Sequence, residues 1–329
     1  MINGILVLDK PEALTSHDVV NRVRRITGER SVGHLGTLDP MATGVLPLLL
    51  GRYTRLAQFF NESSKVYEGE ICFGFATDTY DAQGTTLGPI SNVHPSLAQI
   101  QCQLPAFNGC IQQLPPIYSA KKIHGVAAYK LARKDKVVEM KPVAVQVHRF
   151  EVQSVWGDRA RFVAEVSAGT YIRSLAHDLG QALGCGAHLT QLRRAQSGEF
   201  NLSQAVSLEE LASYHERIGG VAKLSEYALS DVRDSGETAV NHSNAEPAHP
   251  SPYLHPRQIL QRFPSVTASP QAVAAIRNGR SINLPEFSDA PLVKVFADQQ
   301  LLVAVVQRIA GTLFQPRVVL FGSNEPLPL

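Results

Sequence analysis

The interleaving of strand-like and helix-like segments constrains the fold of this chain more than any other feature. Residues 65–74, 143–155 and 161–167 alternate between apolar and polar side chains, as strands with one buried face do. Residues 19–26 and 174–183 instead carry apolar side chains at helical spacing. A doubly wound parallel sheet would show longer, continuously apolar strands. The pattern therefore predicts an α+β fold with a mixed central sheet and flanking helices.

The length and a change in composition predict two domains joined by a polar segment. At 329 residues the chain is long enough for roughly two domains. Residues 233–256 contain almost no core-forming side chain, which is typical of a flexible linker. We expect a larger domain over residues 1–232. A small β-rich domain, with one short helix before three strands, is expected over residues 257–329.

Several classes of protein are disfavoured by motifs that the sequence lacks. No apolar run approaches the roughly 20 residues of a membrane span, and the first ten residues resemble a strand rather than a signal peptide. We therefore expect a cytoplasmic protein. The four cysteines form no Cys-x-x-Cys pair, and none has a histidine at zinc-site spacing. Because P-loop and Gly-x-Gly-x-x-Gly motifs are also absent, we expect neither a metal nor a cofactor.

One segment places a single carboxylate in a loop shaped by glycine and proline. Within residues 31–47, Asp39 directly precedes Pro40, which disfavours helix at the acid. Three glycines and His34 surround the acid, and an apolar run over residues 45–50 follows it. A displayed acid that leads into a buried strand is typical of an active site. A structural turn whose aspartate caps backbone amides fits the same residues.

Three further polar residues could act together with Asp39. Tyr67 begins a strand, where a packing role is the commoner one for tyrosine, and Tyr171 and Arg173 follow a Gly-Thr turn, where they could anchor a surface. Together, an arginine could keep the acid ionised while aromatic rings hold a planar base. One carboxylate without a second acid disfavours an ordinary glycosidase. It suits a reaction at a sugar anomeric carbon that needs one nucleophile or one base.

Charge is distributed unevenly along a chain whose net charge is only +2. Residues 110–150 contain eight lysines and arginines against two acids. Such a stretch fits a surface that binds phosphate groups, and it also fits an ordinary solvated face.

Eight motifs resemble, in the same order, those of the TruB-type pseudouridine synthases. The resemblance covers about residues 1–215, and residues 257–329 resemble by their position the PUA-like RNA-binding domain of that family. The motifs are residues 4–11, 33–47, 65–67, 77–81, 116–121, 169–174, 184–189 and 192–194.

The resemblance implies a pseudouridine synthase fold with a largely antiparallel central sheet. It also implies isomerisation of uridine 55 in the TΨC loop of tRNA, without a cofactor. In that reaction the base flips out, its N-glycosidic bond breaks, and the uracil rejoins the ribose through carbon 5. Asp39 would be the catalytic aspartate, which either attacks carbon 1′ or removes a proton from carbon 2′.

The resemblance also implies roles for the residues that match the motifs. Tyr67 would stack on the flipped uracil, Arg173 would pair with Asp39, and Tyr171 would lie beside the base. An RNA-gripping insertion is expected at residues 116–141 of the catalytic domain. Further substrate or RNA contacts are implied for Lys10, His34, Asp81, Lys121, Lys122 and Leu192.

The expected partner is the T-arm stem-loop of tRNA, bound by a monomer that needs no protein partner. Two alternatives stay open from the sequence. One is an RNA-binding or tRNA-folding module whose chemistry is incidental. The other is a guide-RNA-dependent synthase of the dyskerin type, which works inside a ribonucleoprotein.

Overall fold

The computed structural model describes residues 2–119, 121–123, 126–128, 140–219, 251–323 and 327. The helices of this part are α1 (Ser16–Thr27), α2 (Leu97–Gln103), α3 (Ile172–Ala182), α4 (Leu208–Arg217) and α5 (Pro270–Arg277). None of these helices is both long and apolar enough to cross a membrane. Short 3-10 helices cover Gly51–Phe59, Leu104–Phe107, Leu202–Gln204 and Pro256–Gln258.

The strands of the described residues fall into two main sheets and two small hairpins. In chain order they are β1 (Gly4–Lys10), β2 (Val32–His34), β3 (Thr43–Leu50), β4 (Lys65–Phe73), β5 (Ala76–Thr77), β6 (Thr86–Leu87), β7 (Gly109–Gln113), β8 (Lys122–Ile123), β9 (Val126–Ala127), β10 (Val143–Trp156), β11 (Arg159–Val166), β12 (Ala187–Ser197), β13 (Phe200–Asn201), β14 (Tyr253–Leu254), β15 (Ser265–Thr267), β16 (Ile282–Asn283), β17 (Leu292–Phe296), β18 (Leu302–Ala310) and β19 (Leu313–Val319).

Ten of the described strands form the large sheet. Its order is β14, β1, β3, β12, β4, β11, β10 and β7, with β2 beside β3 and β13 beside β12. Strands β3 and β12 run parallel, where Arg193 and Arg194 pair with Thr43 and Gly44. The other described neighbours are antiparallel. This mixed, largely antiparallel sheet confirms the α+β prediction.

Helix α1 begins and ends at the residues that capping chemistry favours. Thr15 and Asp18 form a capping box, in which each side chain accepts a hydrogen bond from the backbone N–H of the other. Val19 and Val23 are buried on one face, as their helical spacing predicts. Gly28 ends the helix in a left-handed conformation with φ of 68°. The helix start is therefore fixed, and it lies against the Asp39 loop.

Strand β1 is buried on both faces. Leu6 and Leu8 point into the apolar cluster beneath the helices, and Ile5 and Val7 point into a second cluster on the opposite face. This alternation follows from the two-residue period of a strand. The second cluster also contains Phe263 and other residues of the C-terminal part. The C-terminal part therefore covers a face of the large sheet that would otherwise be solvated.

The C-terminal part contains a five-stranded sheet in the order β15, β17, β18, β19 and β16, with α5 packed beside it. This arrangement confirms the small β-rich domain expected from the sequence. Within the predicted linker, residues 233–250 lie outside the described residues. Tyr253 and Leu254 form β14 and pair with β1. The domain boundaries drawn from composition stay a prediction.

Candidate active site

The segment between β2 and β3 carries Asp39 and is tied to the region around the start of α1. The Ser16 hydroxyl accepts a hydrogen bond from the Leu38 N–H at 2.8 Å and donates to the Leu38 carbonyl at 3.2 Å. On the other side of the acid, the Pro40 carbonyl accepts a hydrogen bond from the Ala13 N–H at 2.9 Å. These ties on both sides of Asp39 fix the backbone from which its carboxylate projects.

Lys10, at the end of β1, supports the same loop. Its ammonium donates hydrogen bonds to the carbonyls of Pro11 at 2.8 Å and Pro40 at 3.2 Å. Burial lowers the pKa of Lys10 to about 8, although the nearby Asp39 carboxylate raises it. Lys10 was expected among the RNA contacts. The structure buries its side chain completely behind the Asp39 loop, where RNA has no access.

Asp39 and Arg173, which are 134 residues apart in the sequence, lie in contact. The Arg173 Nη2 donates to Asp39 Oδ1 at 3.2 Å, and Nε lies 2.9 Å from Oδ2. The Arg173 side chain is only 5% exposed, whereas that of Asp39 is 35% exposed. The carboxylate is therefore accessible, and the guanidinium that orients it is enclosed by protein.

The two terminal nitrogens of the Arg173 guanidinium have further hydrogen-bond partners. Its Nη1 donates to the Thr79 carbonyl at 2.9 Å and to Asp81 Oδ2 at 3.3 Å, and its Nη2 donates to the Tyr118 carbonyl at 2.9 Å. Asp81 is in turn held through Oδ1, which accepts from the Thr79 hydroxyl at 2.6 Å. Asp81 is buried, so the structure makes it a support for Arg173 and does not place it at an RNA surface.

The ionisation of Asp39 is set by opposing influences. Burial is the largest of them and raises the pKa of Asp39 above its ordinary value. The Arg173 guanidinium lowers this pKa, and the Asp81 carboxylate raises it again. The pairing with arginine therefore offsets only part of the desolvation, and the net result is a raised pKa.

A cavity of about 600 Å³ opens beside Asp39. Its volume lies within the range of small-molecule pockets and accommodates a nucleoside-sized group. Lys10 and Asp81 are not among its lining residues, and the side chain of Lys122 lies outside the described residues. Seven of the predicted residues line the cavity: His34, Asp39, Tyr67, Lys121, Tyr171, Arg173 and Leu192.

Two tyrosines and a leucine give the cavity an apolar wall near the acid. Tyr67 lies on β4 and Leu192 on the neighbouring β12, so the central strands of the sheet hold both. Tyr171 caps the start of α3, and Gln113 fixes its backbone by accepting from its N–H at 2.8 Å and donating to its carbonyl at 3.0 Å. Burial raises the pKa of Tyr171, so its hydroxyl stays protonated at neutral pH.

Sequence reasoning missed several residues that shape this site. Ser16, Gln113 and Ser119 were not singled out, because a lone polar residue carries no signal for a contact tens of residues away. Lys65 belongs to the motif at residues 65–67, but no role was predicted for it, although it lies two residues before Tyr67 and therefore on the same face of the strand. That spacing would have been enough to place Lys65 in the cavity.

The arrangement offers one accessible carboxylate, a buried arginine that orients it, and aromatic surface for a planar ring. In the described residues, no group of three or more histidine, cysteine, aspartate or glutamate side chains could hold a metal ion. The side chains present can supply a nucleophile or a base at Asp39 and can stack and enclose a flipped base.

The fold resembles that of individual chains in solved multi-component complexes. A chain of a Cbf5–Nop10–Gar1 complex superposes with a TM-score of 0.65 at 25% identity, covering 98% of this chain and 86% of that chain. A chain of an H/ACA ribonucleoprotein bound to a substrate RNA containing 2′-deoxyuridine gives the same TM-score and coverage at 24% identity. This likeness confirms the predicted pseudouridine synthase fold.

Sequence comparisons define the family. The N-terminal domain model of the TruB family pseudouridylate synthases matches residues 24–172, and the tRNA pseudouridylate synthase B C-terminal domain model matches residues 173–240. The tRNA pseudouridine synthase B of Solibacter usitatus is 43% identical over 322 residues, which are 97% of this chain and 100% of that protein. That of Stutzerimonas stutzeri is 45% identical over 71% of this chain and 76% of its own length. The chain therefore belongs to the TruB family of tRNA pseudouridine synthases, which are isomerases.

Proposed function

We propose that this protein converts uridine 55 in the TΨC loop of tRNA to pseudouridine, with Asp39 as the catalytic residue. The observation that carries the proposal is the accessible Asp39 carboxylate, oriented by the buried Arg173 at the edge of a nucleoside-sized cavity. A target uridine inside a folded RNA loop can reach such an acid only after it leaves its stack. The cavity walls fit this requirement because tyrosine rings provide a stacking surface.

In the proposed reaction Tyr67 stacks on the flipped uracil, and Tyr171 and Leu192 enclose it. Asp39 either attacks carbon 1′ of the ribose or removes a proton from carbon 2′. Both routes break the N-glycosidic bond, after which the enclosed uracil turns and bonds to the ribose through carbon 5. Carbon 5 then loses its proton and N1 gains one, and Asp39 is regenerated as it leaves carbon 1′ or returns the proton to carbon 2′. Both routes need Asp39 as a carboxylate, and Arg173 favours that form. Substrate and product are isomers, so no atom is gained or lost.

RNA binding is proposed to come from the cavity rim and the basic stretch beyond it. Lys121 and His34 both line the cavity, and His34 would occupy the space that the flipped base leaves in the RNA loop. Burial and the nearby Arg194 charge lower the pKa of His34, which favours a neutral ring that can stack. The insertion at residues 116–141, with Lys122, would grip the RNA backbone, but most of it lies outside the described residues.

The PUA-like assignment of the C-terminal domain belongs to this proposal, as do the monomeric state and the T-arm as the partner. A guide-dependent mode of action is the competing proposal, because the structural neighbours include chains of a Cbf5–Nop10–Gar1 complex and an H/ACA ribonucleoprotein. The two proposals differ in whether the purified chain needs other components.

The test uses the full-length chain and a synthetic T-arm stem-loop, with pseudouridine located by carbodiimide labelling and primer extension. We expect conversion at position 55 without guide RNA or a second protein. The variant Asp39→Asn should bind the stem-loop and form no pseudouridine, since an amide is neither a nucleophile nor a base here. Turnover by this variant, or activity only with a guide ribonucleoprotein, would overturn the proposal.

A further inference from the structure

Lys65 is a basic side chain on the cavity wall. It begins β4 and lines the same cavity as Tyr67, two residues further along the strand. Its ammonium donates one hydrogen bond to the Ser63 carbonyl at 3.1 Å. No ion pair to Lys65 is found within the described residues. An ammonium has three donors, so two are left for a ligand.

A second cation lies behind the same part of the wall. The Arg194 side chain is completely buried, and its guanidinium donates to the carbonyls of Val45 at 2.8 Å and Gly36 at 3.0 Å. Its Nη1 is buried and has no hydrogen-bond partner among the described residues. A buried, incompletely satisfied guanidinium is costly, and its field acts strongly on nearby groups because little water screens it.

The two cationic side chains approach each other at Gly36, which has no side chain of its own. Its φ of 100° is left-handed, and a Cβ built there would lie 3.3 Å from Lys65 Cε and 3.5 Å from Arg194 Nη1. Lys65 Cε and Arg194 Nη1 therefore both lie where a side chain at residue 36 would project, and the two cationic side chains converge on this glycine. Both act on one point of the cavity wall.

The charged groups on this part of the cavity wall are positive. Burial and the Arg194 charge together lower the pKa of Lys65 to about 8, and no acid opposes them. The same two causes lower the pKa of His34, which also lines the cavity. Asp39, the acid on the cavity lining, is already paired with Arg173. The wall thus carries positive potential that an anionic ligand would neutralise.

The position of Lys65 relative to Tyr67 indicates which anion fits. Side chains two residues apart on one face of a strand project about 6.6 Å apart. A base stacked on Tyr67 would therefore have the phosphates of its own nucleotide within reach of Lys65. A free mononucleotide would offer the same group, but the strand spacing favours a phosphate that is fixed relative to the base.

We propose that Lys65, with the buried Arg194 beside it at Gly36, forms a subsite for an RNA backbone phosphate that adjoins the flipped uridine. This inference rests on the proposed function, because it takes the base on Tyr67 to be the target uracil. Lys65 contacts the phosphate directly. Arg194 is enclosed and acts through its field. The subsite holds the strand on one side of the flipped nucleotide while the tyrosines hold its base.

The test is a double-mutant cycle, in which the Lys65→Gln substitution in the protein is combined with neutralisation of single phosphates in the RNA. Every protein carries Asp39→Asn, so that no turnover occurs during the binding measurement. Dissociation constants are measured by fluorescence anisotropy for stem-loops with a neutral methylphosphonate on the 5′ or the 3′ side of the target. We expect Lys65→Gln to weaken binding of unmodified RNA about 10- to 100-fold. The slope of binding against salt concentration should fall by about one unit.

The decisive expectation is non-additivity. One of the two methylphosphonates should weaken binding of the stem-loop to the protein that retains Lys65. The same methylphosphonate should leave the dissociation constant of Lys65→Gln unchanged. Lys65→Arg, which keeps the charge, should retain most of the affinity. Arg217→Gln removes one charge from the exposed end of α4, outside the cavity lining, and serves as the matched control with an unchanged methylphosphonate response.

Two outcomes would overturn the subsite: an unchanged dissociation constant for Lys65→Gln, or fully additive effects of this variant and both methylphosphonates. Circular dichroism of each variant shows that the fold is retained. Failure of the proposed function would be seen separately, as the absence of pseudouridine from reactions of the parent protein.

Discussion

Arg173 holds Asp39 through one edge of its guanidinium, with Nε 2.9 Å from Oδ2, and it holds a second carboxylate through the other edge. The second partner is Asp81, at 3.3 Å from Nη1. One buried cation therefore lies between two acids, of which only Asp39 is exposed to the cavity to any extent. Asp39 is oriented by a side chain that is itself fixed on every side.

Replacement of Arg173 by lysine should separate the effect of its positive charge on the reaction rate from the effect of its hydrogen-bonding geometry. Lysine keeps the positive charge, but it cannot contact two carboxylates and two carbonyls through one planar group. We expect the single-turnover rate to fall by about 100-fold or more, because small displacements of a reacting group have effects of that size. Affinity for the stem-loop should change much less, since Arg173 is enclosed. An unchanged single-turnover rate would show that a positive charge at residue 173 is sufficient for the reaction.

The pH dependence of the reaction should report the Asp39–Asp81 interaction. The reactive form of Asp39 is the carboxylate, so the rate rises as pH increases through its pKa, which burial and Asp81 raise. Asp81→Asn removes the Asp81 charge, which raises the pKa of Asp39, and keeps the shape of the side chain. The acidic limb of the single-turnover profile should therefore move to lower pH. A move to higher pH would contradict this assignment and indicate that Arg173 had left Asp39.

The buried Lys10 predicts how stability changes at alkaline pH. Its pKa is about 8 in the folded protein against an ordinary value of 10.5, so between these values the unfolded chain binds more protons. Under this condition the free energy of unfolding increases with pH. We expect urea titrations at pH 7 to pH 10 to show that the free energy of unfolding of the parent increases relative to that of Lys10→Met as the pH rises. A constant difference would show that Lys10 titrates normally.

Gly44 connects the Asp39 loop to the sheet and leaves no room for a side chain. Its φ is 98°, and a Cβ there would lie 2.3 Å from the Arg194 carbonyl oxygen. Gly44→Ala should lower the free energy of unfolding by about 2–5 kcal/mol, from backbone strain and overpacking together. Gly88 is the matched control: its φ is 71°, but nothing lies within 4 Å of a Cβ there. Gly88→Ala should cost only the strain of about 1–2 kcal/mol. Equal decreases in the free energy of unfolding of the two variants, measured by urea titration, would contradict the steric explanation.

The sequence alone predicted those features that depend on local patterns. Alternation over residues 65–74 predicted a strand, and helical spacing over residues 19–26 predicted helix α1. The burial of Lys10 was not predictable, because it depends on where the Asp39 loop folds back over β1. Nor was Asp81 predictable as a partner of Arg173, from which it is separated by 92 residues. The resemblance to a family supplied the Asp39–Arg173 pair. No periodicity in the chain encodes it.

The two-sided burial of β1 predicts that the C-terminal part stabilises the catalytic sheet. Phe263 packs edge-on against Phe59, with ring centroids 5.5 Å apart, and the neighbouring Arg262 donates to the Phe59 carbonyl at 2.7 Å. Both rings belong to the apolar cluster that also buries Ile5.

Phe263→Ala should therefore lower the stability of the whole structure by about 3–5 kcal/mol. Trp156 is the single tryptophan of the chain and lies on β10 of the large sheet, so its fluorescence reports the unfolding of that sheet. The urea midpoint measured by this fluorescence should decrease in Phe263→Ala. The free energy of unfolding of Phe287→Ala should stay within about 0.5 kcal/mol of the parent value, because Phe287 is 83% exposed. A midpoint that Phe263→Ala leaves unchanged would mean that the large sheet folds independently of the part that covers it.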